Sequence, residues 1–165
     1  MQSMLARELV AEAYFWDAYR ARLLQARDAG LVELFFAIFG HYPAWLKAVL
    51  IARNRLARLV GLEAPTTSDI LHLGPNGPYR VGDTIGVWPI FALTDTELVA
   101  GRNNKHLDFR LSILRSLDPC GPVITVSTVC TTHNLFGKIY LTLIIPFHKW
   151  GVKQLMLRAL AAGRL

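Results

Sequence analysis

Three polar residues that could do chemistry stand at alternate positions in one segment of the chain. His106, Asp108 and Arg110 lie in KHLDFRLSIL, residues 105–114. Alternate residues of a strand share a face, so these side chains would project together. In a short hairpin, His133 would lie across from them. Two imidazoles beside a carboxylate can bind a metal ion or share a proton.

The same pattern has a simpler interpretation, which we favour. Asp108 and Arg110 would then belong to an exposed charge network on the solvent face of an amphipathic strand. A third interpretation is a polar cluster that contacts a ligand. We expect no metal site and assign no catalytic residue, because the sequence shows no further partner that would orient ligating side chains.

Arg53 is a separate candidate, on a predicted helix over residues 43–60. It falls on the flank of the apolar face, where a guanidinium must reach solvent or meet a buried acceptor. It could hold a ligand carboxylate at the mouth of a pocket through two hydrogen bonds. We favour a structural role, in which it pairs with an acidic residue and fixes the helix to the sheet; the candidates are Asp17, Asp108 and Glu97.

The last helix is predicted to begin near Leu135, with Asn134 as its N-cap. Its wide apolar stripe is expected to close a core or cavity, and consists of Phe136, Tyr140, Leu143, Ile144, Phe147 and Trp150. Tyr140 could offer a ligand its hydroxyl, or reach water or a backbone carbonyl instead. A narrower stripe, edged by lysines, would form a dimer seam or membrane-surface contact, or pack on the N-terminal helix; it consists of Leu141, Ile145, Val152 and Met156.

The spacing of apolar residues predicts the elements that must position these side chains. Residues 3–12 fit a short helix, residues 13–23 a strand, and residues 31–39 another short helix. A loop rich in proline and glycine spans 63–83. The later strands are predicted at 84–93, 96–102, 105–115 and 122–134.

Short connections favour antiparallel pairing of those strands. Pro89 removes a backbone donor, so its strand should be an edge or carry a bulge. Because strands and helices are segregated along the chain, we predict an α+β fold with two helices inserted after the first strand. The last helix should lie across one face of the sheet, since both are apolar.

Composition narrows the class of protein. The 165 residues fit one domain spanning 1–165. Hydrophobic residues make up 53% and charged residues 18%, an apolar excess that would line a cavity, an oligomer interface or a membrane contact. No apolar run reaches the roughly 20 residues of a membrane span. The two cysteines suit a reducing compartment, so we expect a cytoplasmic protein, at most peripheral to the inner membrane.

The motifs of the common cofactor and catalytic sites are absent from the sequence. It contains no phosphate-binding glycine loop, dinucleotide fingerprint, nucleophile elbow or zinc pattern, so we expect no cofactor. The net charge of +6 permits an anionic partner. The arginines do not alternate with aromatic residues on an exposed sheet, and we therefore expect no nucleic-acid binding.

Several segments together resemble an uncharacterised bacterial family, the domain of unknown function 2867. They are VGDTIGVWPI (81–90), LVAGRNNKHLDFRLSIL (98–114) and TVCTTHNLFGKIYLTLIIPFHKW (128–150). That family is similar in layout to the START and Bet v 1-like (SRPBCC) helix-grip proteins. The resemblance implies a curved antiparallel sheet that grips a long C-terminal helix around an apolar cavity.

We therefore predict a non-catalytic binder of a small apolar or lipid-like ligand between the sheet and the C-terminal helix. The candidate ligand contacts are Arg53, His106, Asp108, Arg110, His133 and Tyr140. One alternative is an enzyme of the cyclase or isomerase type, which transfers protons with His106, Asp108 or His133. Another is a dimeric or membrane-surface interaction module.

Overall fold

The computed structural model describes residues 3–5, 10–26, 28–59 and 77–165. The helices are α1 (Leu31–Phe39), α2 (Ala44–Leu59) and α3 (Leu135–Ala161). The strands are β1 (Phe15–Arg22), β2 (Thr84–Ile85), β3 (Trp88–Leu93), β4 (Glu97–Asn103), β5 (Leu107–Asp118) and β6 (Gly121–Thr132).

The strands form one antiparallel, curved and open sheet in the order β1-β6-β5-β4-β3-β2. The β5–β6 hairpin is its centre, and its turn is closed by the side chain of Asp118, which accepts the amide of Cys120 at 2.8 Å. Gly121 follows at φ 120°, a conformation that favours glycine. The predicted α+β class, with two helices after the first strand and a long C-terminal helix, is confirmed.

The two faces of the sheet carry different side chains. The inner face, which α1 and α3 cover, presents Leu111 and Ile113 of β5, both fully buried. The outer face presents Val99 and Val129, which pack with Leu5 of the N-terminal segment. Strand alternation therefore determines which of the candidate side chains can reach the space beneath α3.

A buried carboxylate fixes the N-terminal segment to the outer face. Glu97 at the start of β4 is 1% exposed and accepts hydrogen bonds from the hydroxyl groups of Ser3 and Ser112 and from the amide of Met4. Ser3 also accepts the amide of Leu5 at 3.1 Å. Three donors satisfy the charge that burial would otherwise penalise.

Helix α3 lies across the inner face, and its first turn follows the prediction. The side chain of Asn134 accepts the amide of Gly137 at 3.0 Å and so caps the helix. Gly137 approaches the β4–β5 turn so closely that a Cβ there would overlap the carbonyl oxygen of His106. Further along, Trp150 stacks on Trp45 of α2, with ring centroids 4.2 Å apart.

The side of α3 that faces the sheet is opposite to the one predicted. Leu141, Val152 and Met156, three residues of the predicted seam, are buried, and the fourth, Ile145, packs beside Leu141. The wide stripe is largely exposed instead. The physical reason is that the buried side also carries Gly137 and Ala159, and the absence of a side chain at Gly137 lets the helix approach the β4–β5 turn closely.

Two strand predictions change in detail. Residues 84–93 form two strands, β2 and β3, because the chain turns at Gly86 with φ 61°. The bulge expected near Pro89 is confirmed as a register shift between Ile90 and Ala92. Residues 6–9 of the predicted N-terminal helix and residues 63–76 of the predicted loop lie outside the described part of the chain.

Candidate functional site

The predicted polar cluster is only partly assembled. Nε2 of His133 lies 3.1 Å from Oδ1 of Asp108, and the two side chains are 41% and 33% exposed. The pair lies on the outer face, because Asp108 alternates with Phe109 and Leu111, which point towards the core. At this exposure it is a surface ion pair of small energetic weight.

His106 takes different partners. The backbone amide of His133 donates to the carbonyl of His106 at 2.9 Å, so the two residues are neighbours in the chain fold. Nδ1 of His106, however, lies within hydrogen-bond distance of the side-chain amide of Asn134, 3.0 Å from its nitrogen and 3.2 Å from its oxygen, and the ring packs on Phe136. The side chain of His106 therefore contacts the first residues of α3 and is not part of the Asp108–His133 pair.

Arg110 also lies on the outer face. Its guanidinium stacks over the ring of Phe91, 3.8 Å from the centroid, and Nη1 donates to the carbonyl of Phe109 at 2.9 Å. Partial burial lowers the pKa of Arg110, and the charge of Asp108 opposes that shift. These contacts describe a side chain held against the sheet surface.

The enzymatic interpretation required these side chains to reach a cavity beneath the gripping helix. Asp108, Arg110 and His133 lie on the opposite face of the sheet, so they do not meet that requirement. Tyr140 lies on α3, and its hydroxyl oxygen is buried. The side chain of Arg53 lies outside the described residues, and its three predicted carboxylate partners all have other contacts: Asp17 with His148, Asp108 with His133 and Glu97 with Ser3.

A second polar group, not singled out by the sequence, lies between β1 and α3. Asp17 of β1 shares the inner face with its cross-strand partner Thr128 of β6. His148 reaches it from α3, with Nε2 3.5 Å from Oδ1 of Asp17. The side chain of Asp17 is 10% exposed and that of His148 is 22% exposed. We call Asp17, Thr128 and His148 the inner cluster.

The inner cluster has unused hydrogen-bonding capacity. Within the described part of the chain, the carboxylate of Asp17 has a long ion pair with His148 and a side-chain interaction with Tyr19, and the buried hydroxyl of Thr128 has no hydrogen-bond partner. Nε2 of His148 is also buried without one. Leaving such groups unsatisfied costs about 1–3 kcal/mol each, so the cluster is expensive as a purely structural feature.

Apolar and aromatic groups surround the inner cluster. Phe15 meets the ring of His148 edge-on at 5.6 Å, and Cys130 lies beside Phe15. Burial raises the pKa of the Cys130 thiol to about 12, and Asp17 adds to the shift. A protonated thiol is a poor nucleophile. The surroundings therefore suit binding through hydrogen bonds and apolar contact.

Directly above this cluster, the side chains of α3 are half-buried or exposed. No residue of α3 between Thr142 and Trp150 is fully buried, whereas Leu141 before them and Gly151 after them are. At the β1 edge, Tyr19 donates to the carbonyl of Lys149 at 3.2 Å. Burial and the charge of Asp17 raise the pKa of Tyr19 to about 12, so its hydroxyl stays a donor at neutral pH.

One signal in the sequence could have indicated the inner cluster. Asp17 stands in phase with Phe15, Tyr19 and Ala21, so a carboxylate occupies the apolar side of a strand. His148 stands on the side of its helix that carries Leu141 and Val152. Neither residue belongs to a spacing motif, which is why motif analysis passed over both.

An open cleft of about 550 Å³ lies at the other end of α3, beside the α1–α2 connection. Its lining includes three cationic side chains and no carboxylate: Gly40, His41, Tyr42, Pro43, Lys47, Arg158, Ala161, Ala162 and Arg164. Arg164 is fixed there by a hydrogen bond from Nε to the carbonyl of Ala37 at 3.1 Å. The cleft is distinct from the inner cluster, which lies near the middle of the helix.

The described residues contain neither a group of metal ligands nor a single membrane-spanning helix. Across residues 3–5, 10–26, 28–59 and 77–165, no three His, Cys, Asp or Glu side chains are grouped as metal ligands would be. No single helix of this part is long and apolar enough to cross a membrane. The pair Leu31–Phe39 and Ala44–Ala52, bent by 88°, meets the length and composition criteria together.

Comparisons with known proteins agree with the resemblance noted in the sequence. No curated protein and no solved structure matches the chain. The family described as "Protein of unknown function (DUF2867)" matches residues 9–155, which include every strand and most of α3. The chain therefore belongs to the DUF2867 family.

Proposed function

We propose that this protein is a non-catalytic binder of a small apolar or lipid-like ligand, held between the inner face of the sheet and α3. The carrying observation is the inner cluster: a carboxylate, a hydroxyl and an imidazole, buried beneath the helix with hydrogen-bonding capacity that the described residues leave unused. Small-molecule sites combine apolar walls with a few such polar groups.

The chemistry of the cluster indicates the polar end of the ligand. The carboxylate of Asp17 accepts hydrogen bonds, so the ligand should carry a hydroxyl or amine. Thr128 can donate to or accept from the same group. The rest of the ligand would contact Phe15, Cys130 and Ile145, which surround the cluster.

The partly exposed stretch of α3 above the inner cluster supports an entry route. Side chains from Thr142 to Trp150 are half-buried or exposed, and β1 is an edge strand. A small outward movement of this stretch would therefore break few buried contacts. The anchors at Leu141 and Gly151 would keep the helix in place while the ligand enters.

A fluorescent amine tests the proposal. N-phenyl-1-naphthylamine is apolar, carries one N–H donor and becomes brighter on leaving water. We expect saturable binding to the wild type, and roughly tenfold weaker binding to Asp17→Leu, since a hydrogen bond to a charged group contributes about 1.5–3 kcal/mol.

The matched control is Asp108→Leu, which removes a carboxylate from the opposite face of the sheet. It should bind the probe as the wild type does. Probe binding that does not saturate in the wild type, or equal affinities for Asp17→Leu and the wild type, would contradict the proposal.

A further inference from the structure

The side of α3 that faces away from the sheet carries an apolar surface that runs from Phe136 to Trp150, and Gln154 separates it from Leu157. Its side chains are 39–67% exposed: Phe136, Ile139, Leu143, Phe147, Trp150 and Leu157. We call these six residues the α3 outer face. At about 100° per residue they fall within an arc of about 80°, and at 1.5 Å per residue they extend over roughly 30 Å. Scattered apolar residues are ordinary, but a stripe of this length marks a contact surface.

The charges of α3 are all of one sign. Between Leu135 and Ala161 the sequence has four cations, Lys138, Lys149, Lys153 and Arg158, and no Asp or Glu. All four cationic side chains are exposed. The ion pairs between described residues are Arg20–Asp118, His133–Asp108 and His148–Asp17, so none of them neutralises a cation of α3.

The basic cleft continues the same side of the helix. Ala161, which lines the cleft, has the same direction around the helix axis as Leu143. Lys47, Arg158 and Arg164 also line it. A surface lying along the α3 outer face would therefore meet a row of apolar side chains and then a cationic recess large enough for a phosphate headgroup.

We propose that the α3 outer face docks in the plane of an anionic lipid bilayer. Amphipathic helices with an apolar stripe and basic flanks bind in this way, with the stripe at the boundary of headgroups and acyl chains. Trp150, stacked on Trp45, supplies the aromatic group that favours this boundary. The inference does not depend on the inner cluster, whose side chains point the other way.

Charge complementarity favours a bilayer over a second copy of the chain. Two copies joined through this face would bring two sets of lysines together without an acidic partner from α3, and such like-charge contact opposes association. An anionic bilayer instead attracts each of these cations.

Vesicle sedimentation tests the docking with the full chain. The wild type should sediment at low salt with vesicles of phosphatidylcholine and phosphatidylglycerol in equal parts. It should sediment far less with phosphatidylcholine alone or at high salt, where screening weakens the attraction. The double variant Leu143→Asn, Phe147→Asn should bind at least roughly tenfold more weakly, since it removes two exposed apolar side chains from the stripe.

Two control variants distinguish binding through the α3 outer face from non-specific adsorption to vesicles. Leu117→Asn changes an apolar side chain that is 82% exposed on the β5–β6 hairpin and does not belong to the α3 outer face, and it should leave vesicle binding unchanged. Lys153→Gln with Arg158→Gln should weaken binding on the order of tenfold, whereas Arg80→Gln should not; Lys149 is left unchanged because its ammonium lies over the ring of Phe15 at 5.6 Å. All variants change exposed residues, so their thermal unfolding should match that of the wild type.

Three results would overturn the docking. One is failure of the wild type to sediment with anionic vesicles at low salt. Another is sedimentation of Leu143→Asn, Phe147→Asn equal to that of the wild type. The third is a wild type that is a dimer by light scattering and does not bind vesicles, together with a double variant that is a monomer. The α3 outer face would then bind a second copy of the chain. Loss of amine-probe binding alone would leave the docking standing.

Discussion

At the scale of single residues, the polar side chains divide between two faces of one sheet. Asp108 and His133 form an exposed pair on the outer face, as expected for a solvent-facing strand. Asp17 and His148 meet on the inner face with buried, unsatisfied atoms. Sequence alternation predicted that His106, Asp108 and Arg110 share a side of a strand, but it could not say which side. The side is decided by which face of the sheet α3 covers.

We expect Asp17 to lower the free energy of unfolding of the ligand-free protein, because its buried carboxylate serves the proposed ligand. Replacing Asp17 with Asn keeps the shape of the side chain and removes a buried charge whose ion-pair partner, Nε2 of His148, lies at the long distance of 3.5 Å. We expect the free energy of unfolding to rise by about 1–2 kcal/mol, because a carboxylate compensated only by this long contact is costly to bury. Urea unfolding measures the change. A loss of stability would show that Asp17 has a structural partner and would remove the argument for a ligand.

Glu97 should behave in the opposite way, since its carboxylate is satisfied. Glu97→Ala leaves the donors of Ser3, Met4 and Ser112 without their acceptor. We expect a loss of about 3 kcal/mol in urea unfolding. The control is Asp95→Ala, at an exposed position of the β3–β4 connection, which should cost less than about 0.5 kcal/mol. Similar losses for both variants would contradict the role assigned to Glu97.

Cys130 gives a pH dependence with a definite sign. Its thiol has an ordinary pKa of 9.0 and a folded pKa of about 12. Between these values the folded chain holds a proton that the unfolded chain releases, so stability falls as pH rises through that window. Urea unfolding at pH 8 and pH 10.5 should show a loss larger by about 2 kcal/mol in the wild type than in Cys130→Ala. Equal losses would mean that the thiol ionises freely in the folded protein.

At the scale of elements, the bounds of α1 and the start of α3 were predictable and the orientation of α3 was not. Gly40 ends α1 and Asn134 caps α3, as local signals indicated. The orientation depends on which side can approach the rest of the fold most closely, and Gly137, which lies against the β4–β5 turn, favours the side that also carries Ala159. The prediction placed the side with the most large apolar residues against the sheet. Large side chains make a helix side hydrophobic, but they also hold the helix backbone away from its neighbours.

The two glycines of α3 should therefore respond in opposite directions to the same substitution. In Gly137→Ala the new Cβ overlaps the carbonyl oxygen of His106, so we expect a loss of about 1–3 kcal/mol from overpacking. In Gly151→Ala the Cβ meets only Leu46 at 3.8 Å, so the better helix propensity of alanine should raise stability by up to about 1 kcal/mol. Thermal unfolding compares the pair. A stabilising Gly137→Ala would contradict the close contact of α3 with the β4–β5 turn.

At the scale of the whole molecule, the apolar excess in the composition is distributed over two surfaces. Part of it surrounds the inner cluster beneath α3, and part is exposed along the α3 outer face. Composition predicted an excess without locating it, because the location follows from how α3 packs. The kinship with START-like proteins stays a prediction, while the α+β layout and the DUF2867 family are established by the fold and the family match.

The ligand site itself is tested most directly by NMR of the histidine rings. His148 lies under α3 and His133 on the opposite face of the sheet, and His148→Gln and His133→Gln assign their signals. On titration with N-phenyl-1-naphthylamine, the imidazole signals of His148 should shift saturably while those of His133 stay in place. A shift of His133 with none at His148, or no shift of either, would contradict a ligand site between the sheet and α3.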